Sequence, residues 1–124
     1  MSQKNLRIVR RFVVGDLEKA LVDAAPDIVW NPVEEASAQG HDAVRASLAR
    51  WKGAWAEYEV THEEFVDAGD RVLVTLHLRG RGRGSGVEID GRLFDVYTIR
   101  NGEIVRMDEF TERSAALEAA GLRE

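Results

Sequence analysis

The sequence of 124 residues contains no cysteine, which excludes disulfide bonds, thiolate metal sites and a cysteine nucleophile. It has no apolar run long enough to span a membrane. Its first residues, MSQKNLRIVRRF, lack the apolar centre of a secretory signal. A net charge of −5 disfavours broad binding to nucleic acid or to an acidic membrane. We therefore expect a cytoplasmic protein that binds neither nucleic acid nor membrane.

The length of the chain suits one domain with one modest core, and we expect residues 1–124 to form it. Apolar residues make up 44% and charged residues 31%, which is ordinary for a globular protein. No internal repeat and no linker divides the sequence, so a second domain is not expected.

The first part of the chain has apolar residues at helical spacing. This pattern predicts helices over residues 4–14, 17–24 and 41–55. Asp16 is suited to cap the second helix, and Pro26 is expected to end it. The third pattern is the strongest, and its apolar face carries Val44, Leu48, Trp51 and Trp55.

The rest of the chain alternates with a period of two, which is typical of β-strands. A short strand is predicted at residues 27–31, and a short C-terminal helix at 114–121. The other predicted strands are 57–66, 71–79, 87–100 and 103–112. Helices followed by an antiparallel sheet indicate the α+β class. One face of such a sheet can pack on the helices, and the other is exposed or paired with a second subunit.

The last predicted hairpin, LFDVYTIRNGEIVRMDEF at residues 93–110, allows two registers. Asn-Gly favours a two-residue turn, which pairs Ile99 with Ile104 and sets Asp95 opposite Asp108. The alternative is a longer turn with a bulge at Gly102. Its inner face then carries Asp95, Tyr97, Ile99, Val105, Met107 and Glu109. We favour this register because it separates polar from apolar side chains better.

In the favoured register Asp95 and Glu109 point toward the helices. An ionised carboxylate there needs hydrogen-bond partners or a water-filled cavity. Burial would raise its pKa, which prepares a carboxyl group to act as an acid or base near neutral pH. The alternative is structural: Asp95 is hydrogen-bonded to backbone groups, and Glu109 lies in water at the rim.

The three histidines and the glycine–arginine segment do not form a recognisable functional motif. His41, His62 and His77 are not spaced as a metal pair, so no metal site is expected. His62 shares a strand face with Tyr58 and could reach a cavity. The segment RGRGRGSG at residues 79–86 is expected to be a flexible hairpin loop, since it is too short for an RNA-binding segment and lacks the strand–helix context of a dinucleotide loop.

Large apolar side chains admit two interpretations. Trp51 and Trp55 are most simply core residues, and one of them can instead form an aromatic pocket wall. Met107 lies on the predicted inner face and would suit an adaptable apolar lining.

The order of these elements is similar to that of a known family. A first helix, GDLEKAL, the strand IVWNP, the helix GHDAVRASLARW, four strands and a terminal AALEAAGL resemble the nuclear transport factor 2-like superfamily. Within it, the closest resemblance is to the SnoaL-like polyketide cyclase family, over nearly the whole chain. It implies a cone-shaped, curved antiparallel sheet packed on three N-terminal helices around a deep apolar pocket. It also implies a homodimer formed through the outer sheet face.

The resemblance also implies roles for individual residues. Ketosteroid isomerases of this superfamily have a base where Asn31 stands, and an asparagine can hold a substrate oxygen but cannot abstract a proton. Asp95 matches their protonated oxyanion donor. Glu109 matches the acidic residue that the cyclases and the limonene epoxide hydrolases keep on the last strand.

Two departures from the family enzymes limit the chemistry. Ile8 or Val9 stands where the isomerases have a tyrosine, so steroid isomerisation is not expected. Leu76 and Leu78 replace the arginine and aspartate of the epoxide hydrolases, so their reaction is not expected either.

We expect a small apolar, carbonyl-bearing molecule to bind in the pocket without a cofactor. One hypothesis is proton-transfer cyclisation, isomerisation or dehydration, with Glu109 as the acid/base and Asp95 as a second acid or hydrogen-bond donor. The expected substrate-binding residues are Asn31, Tyr97, Met107, Trp51, Trp55 and His62. The alternative hypothesis is a non-catalytic small-molecule-binding or dimeric interaction protein of the same fold.

Overall fold

The computed structural model describes residues 3–122, which form helices and one mixed sheet. The helices are α1 (Gln3–Val14), α2 (Leu17–Ala20), α3 (His41–Gly53) and α4 (Arg113–Ala119), with a 3₁₀ turn at Leu21–Asp23. The strands are β1 (Ala24–Asn31), β2 (Ala38–Gln39), β3 (Trp55–Asp67), β4 (Arg71–Gly82), β5 (Glu88–Arg100) and β6 (Glu103–Phe110). None of the helices in this part of the chain is long and apolar enough to cross a membrane.

The six strands lie in the order β2-β1-β6-β5-β4-β3 and form a curved sheet. The predicted α+β class is therefore confirmed. The sheet is not wholly antiparallel, because β1 runs parallel to β6 while the other neighbours are antiparallel. This parallel pairing brings the N-terminal part of the chain beside its last strand.

Two predicted boundaries were wrong. The second helix ends at Ala20 and passes through the 3₁₀ turn into β1, so Pro26 lies inside a strand. It is tolerated there because the β1–β6 register is irregular between Ala24 and Val29, where no regular ladder needs its missing N–H. The third helix ends at Gly53, so Trp55 begins β3 instead of ending α3.

The main core lies between the helices and the inner face of the sheet. Ile8, Val9 and Phe12 on α1 are buried at the helical spacing that the sequence predicts. They pack in one cluster with Trp30 of β1 and Tyr97 of β5.

Helix α4 lies on the opposite, outer face of the sheet. Its buried residues Ala116 and Leu117 pack with Leu73, Phe94 and Val96 of β4 and β5. This part of the outer face is therefore covered by the chain itself, and only the remainder is free to meet a second subunit.

The β5–β6 hairpin combines the two registers that the sequence allowed. Arg100 pairs with Glu103, and Asn101 and Gly102 have φ angles of 51° and 80°, which makes the two-residue turn. The predicted bulge at Gly102 was therefore wrong. The irregularity lies further along, because Ile99 pairs with Ile104 but the preceding Thr98 pairs with Arg106. Val105 is the extra residue.

This bulge has a large effect on the face that each side chain occupies. Ile104 is fully buried in the core, in place of the predicted Val105, which is only half-buried. Beyond the bulge, Tyr97 pairs with Met107 and Asp95 pairs with Glu109. A one-residue shift in β6 thus returns Met107 and Glu109 to the inner face.

Candidate functional site

A cavity of about 430 Å³ lies between the inner face of the sheet and helices α1 to α3. Pockets that hold small organic molecules usually fall between roughly 300 and 1,000 Å³. The lining is mainly apolar and includes Phe12, Trp30, Val60, Leu76, Leu78 and Leu93. Tyr58 and Ile89 also line it and are 41% and 45% exposed, so the cavity opens to solvent on their side.

Four carboxyl groups line the cavity, those of Glu34, Glu35, Asp95 and Glu109, and the last two pair directly across β5 and β6. Asp95 is 5% exposed, and its Oδ1 atom has no hydrogen-bond partner among residues 3–122. Burial raises the pKa of Asp95 well above its ordinary value, and the charge of Glu109 and a hydrogen bond with it raise this pKa further. Asp95 is therefore the member of the pair that keeps its proton.

Glu109 has a different environment, although it is the direct neighbour of Asp95. It is half-buried, and its Oε1 atom accepts a hydrogen bond of 3.3 Å from the backbone N–H of Val33. The pair thus combines two unlike environments, because Asp95 is deeply buried whereas Glu109 is half-buried and accepts a backbone hydrogen bond.

Tyr97 lies between Asp95 and the aromatic part of the core. Its ring is 5.8 Å from that of Phe12 and 6.5 Å from that of Trp30, both in edge contact. Burial raises the pKa of Tyr97 well above 10.0, and negative charge on the neighbouring Asp95–Glu109 pair adds to this effect. Its hydroxyl therefore remains protonated and can only orient a ligand by hydrogen bonding.

His62 and Met107 also lie in the lining of the cavity. His62 is half-buried, and burial lowers its pKa, so its ring is neutral near pH 7 and available as a hydrogen-bond donor or acceptor. Met107 is fully buried beside Trp30, its partner across the parallel ladder. No group of three or more His, Asp or Glu side chains in the described part of the chain is arranged to hold a metal ion.

Trp51, Trp55 and Tyr58 form an aromatic wall on the open side of the cavity. The rings of Trp51 and Trp55 are 5.8 Å apart, and those of Trp51 and Tyr58 meet edge to face at 5.0 Å. Both tryptophans thus lie at the pocket, which agrees with the functional interpretation of these residues.

Asn31 lies outside the cavity lining, so the role in holding a substrate oxygen does not fit its position. Its Nδ2 atom donates a hydrogen bond of 2.8 Å to Asp108, and its Oδ1 atom accepts one from Ser37. The physical reason is the alternation of β1: Trp30 points into the core beside Met107, so Asn31 points to the other face.

Trp30 and Phe12 line the cavity as well, although the sequence analysis did not single them out as site residues. A usable signal was present in β1, where buried Ile28 and Trp30 alternate with more exposed neighbours. Choosing the phase of this strand from its apolar residues would have placed Trp30 inward and Asn31 outward.

A curved six-stranded sheet packed with helices is the fold of the nuclear transport factor 2-like proteins. The model of the SnoaL-like domain matches residues 6–107, and the chain belongs to this family. No curated protein matches the chain in sequence.

Solved structures share the fold over nearly the whole chain. A nuclear transport factor 2-like protein from Burkholderia xenovorans LB400 is 27% identical, with a TM-score of 0.77 and coverage of 97% of this chain and 98% of that one. A protein from Jannaschia Sp. CCS1 assigned to the SnoaL-like polyketide cyclases is 20% identical, with a TM-score of 0.77 and coverage of 98% and 94%. TerC, co-crystallised with polyporic acid, is 22% identical, with a TM-score of 0.75 and coverage of 95% and 98%.

Proposed function

We propose that the chain binds a small, mainly apolar molecule with a carbonyl group and catalyses a proton transfer on it. Isomerisation, cyclisation and dehydration are the reactions that such a step serves. The observation that carries this proposal is the Asp95–Glu109 pair, which lies in a mainly apolar cavity with Asp95 Oδ1 unpartnered among the described residues. The co-crystal of TerC with polyporic acid, an organic molecule, supports a small-molecule ligand for this fold.

The two carboxyl groups have complementary tasks in this mechanism. When the ligand binds, the O–H group of protonated Asp95 turns from Glu109 to the carbonyl oxygen, where negative charge develops as the neighbouring C–H bond breaks. Glu109 takes the proton from that carbon and the bonding electrons move into an enolate. Glu109 then returns the proton to a different atom, so the enzyme is regenerated and no electron is gained or lost.

The surrounding residues favour this chemistry. The hydroxyl of Tyr97 stays neutral and orients the carbonyl group, while the apolar lining excludes water that would compete for the hydrogen bonds. Hydrogen bonds to a developing oxyanion are stronger in such a site than in water.

A non-catalytic binding protein is the second candidate, and one observation favours it. Asn31, at the position of the isomerase base, faces away from the cavity, and Leu76 and Leu78 fill the lining where the hydrolases have charged side chains. In that case the Asp95–Glu109 pair only fixes the orientation of the ligand.

Proton exchange on a simple ketone separates these candidates without the natural substrate. The probe is 2-tetralone, whose protons next to the carbonyl group exchange with deuterium in D₂O and are followed by ¹H NMR. We expect the protein to accelerate this exchange and Glu109→Gln to reduce the acceleration by about 100-fold or more. Asp95→Asn should reduce it less, since an amide still donates a hydrogen bond.

Glu103→Gln is the matched control, because Glu103 is an exposed residue of the same strand, and it should leave the exchange rate unchanged. Full exchange activity in Glu109→Gln would contradict the catalytic role of Glu109. Saturable binding of 2-tetralone without any faster exchange would support the binding protein instead.

For the assembly and the location of the protein, we propose a cytoplasmic homodimer. The part of the outer sheet face that α4 leaves uncovered is the proposed contact, and the family resemblance supports it. Ion pairs on this face, such as Arg92 with Glu63 at 2.7 Å, would supply polar contacts in such an interface.

A further inference from the structure

Trp55 has a buried hydrogen-bond donor that the protein itself does not satisfy. Its indole Nε1 atom is shielded from solvent and has no acceptor among residues 3–122. Buried indole N–H groups usually find a partner, because leaving one unpaired costs free energy. The unpaired group belongs to a residue that lines the cavity.

The indole ring is held in place by contacts that leave this N–H group unused. Its benzo edge rests on Gly80, where a Cβ atom would come within 2.8 Å of Trp55 Cε3. The backbone carbonyl of Trp55 accepts a hydrogen bond of 3.2 Å from Arg83 Nη2. The N–H group lies on the opposite, pyrrole side of the ring from the edge that Gly80 supports.

Asp95 and Trp55 mark two separate ends of the cavity. Asp95 pairs with Val74 on β4, whereas the indole ring of Trp55 lies beside Gly80 on the same strand. The interval from position 74 to position 80 is roughly 20 Å of extended strand. Two hydrogen bonds occupy about 6 Å of that backbone distance, and the side chain of Asp95 occupies a few ångströms more, so a molecule of about two aromatic rings with an oxygen at each end spans the remainder.

We propose that Trp55 Nε1–H is the second polar anchor of the pocket and donates a hydrogen bond to an oxygen of the ligand. This inference rests on the proposed function, since it takes the same cavity as the ligand site. It narrows the ligand class to elongated, uncharged molecules with an oxygen at each end. One oxygen meets the Asp95–Glu109 pair, the other meets Trp55, and the middle is apolar to match Val60, Leu76 and Leu78.

Two probes of equal shape test this directly. 4-Acetyl-4′-methoxybiphenyl keeps a carbonyl group for Asp95 and carries an ether oxygen as the acceptor for Trp55, whereas 4-acetyl-4′-ethylbiphenyl has a carbon in place of that ether oxygen. We expect calorimetric titration to give about tenfold tighter binding of the methoxy probe to the wild-type protein. Trp55→Phe keeps an aromatic ring and removes the N–H group, so it should abolish this preference while the ethyl probe binds as before. Trp51→Phe, the neighbouring ring, should retain the preference.

A spectroscopic measurement on the wild-type protein covers the case in which Trp55→Phe does not fold. The chain has three tryptophans, so a ¹⁵N-labelled sample gives a small set of indole N–H signals to assign. The methoxy probe should move the Trp55 indole proton downfield, and the ethyl probe should not. Equal affinity for the two probes, a preference that survives in Trp55→Phe, an unmoved indole signal, or no binding of either probe would each overturn the proposal. The proposed function fails instead on the exchange activity of Glu109→Gln, so either idea can fail alone.

Discussion

Asp95 and Glu109 face each other across β5 and β6 only because β6 contains one extra residue, Val105. Continuing the tight Asn101–Gly102 turn without a bulge would set Asp95 opposite Asp108 and turn Glu109 to the outer face. The bulge therefore determines which acid of β6 faces the cavity beside Asp95. The bulge also gives the two acids unequal environments. Burial raises the pKa of Asp95, whereas Glu109 accepts a hydrogen bond from a backbone N–H group.

The raised pKa of Asp95 predicts a pH-dependent stability. Because its pKa in the folded protein is higher than in the unfolded chain, its contribution to stability is complete below the unfolded value of about 3.9 and is lost as the pH rises through the folded value. Asp95→Asn cannot ionise and should gain stability over the wild type as the pH rises. Each unit of pKa difference is worth about 1.4 kcal/mol. Thermal unfolding from acidic to alkaline pH measures the difference in stability between Asp95→Asn and the wild type.

Asp90→Asn is the matched control, because the pKa of Asp90 is shifted in the opposite direction and its effect on stability should have the opposite pH dependence. The hydrogen bond with His77 lowers the pKa of Asp90, so its contribution is present above the unfolded value and is lost as the pH falls. This variant should be slightly less stable than the wild type at neutral pH. A constant gap between Asp95→Asn and the wild type at every pH would refute the account of Asp95.

Gly80 is predicted to be essential for the aromatic wall. A methyl group there would meet the Trp55 ring at 2.8 Å and the carbonyl oxygen of Glu57 at 3.1 Å, so the ring must move. Gly80→Ala should lower the free energy of unfolding by about 1–3 kcal/mol and change the tryptophan fluorescence. Gly91 also lines the cavity, but a Cβ atom there has no neighbour within 4 Å. Gly91→Ala should therefore change neither property much, and equal effects of the two substitutions would show that the contact with Trp55 does not matter.

Helix α4 is predicted to stabilise the outer face of the sheet. Leu117 is 6% exposed and packs with Leu73, Phe94 and Val96. Leu117→Ala should cost about 2–5 kcal/mol of unfolding free energy, as measured by denaturant titration. The adjacent exposed position provides the control, since Glu118→Ala should cost well under 1 kcal/mol. A small effect of Leu117→Ala would mean that α4 is only loosely held.

The proposed homodimer has a direct test in light scattering. The chain has a mass of 13.9 kDa, and a homodimer should give about twice this value. Arg92→Glu reverses a charge on the uncovered outer face and should shift the mass toward that of one chain. Arg10→Glu on α1 should leave the mass unchanged. A wild-type protein that is monomeric at high concentration would exclude the dimer.

Most helices and strands could be predicted from the sequence, because the spacing of apolar residues that indicates them is visible within each short segment. Residues 4–14 and the alternating strands from 57 onward lie within the observed elements or within a few residues of their ends. The parallel pairing of β1 with β6 could not be derived in this way. It depends on contacts such as that between Trp30 and Met107, which are far apart in the chain.

The candidate site was predictable to the extent that it followed strand alternation. Asp95, Tyr97, Met107 and Glu109 share the inner face, as their spacing indicated. The location of the bulge was not predictable, because the local preference of Asn-Gly for a tight turn and the burial of Ile104 both had to be satisfied. The sequence analysis placed Asn31 in the pocket because of its position in a family motif. The alternation of apolar residues in its own strand, which puts Trp30 inward, instead indicates that Asn31 faces outward.

The protonation of Asp95 is the central claim, and ¹³C NMR of its carboxyl carbon during a pH titration tests it most directly. Assignment against Asp95→Asn identifies the signal. We predict an inflection well above 3.8 that moves to lower pH, though not back to 3.8, in Glu109→Gln, because the neighbouring charge is lost while burial remains. An inflection near 3.8, or one that Glu109→Gln leaves unchanged, would contradict the account.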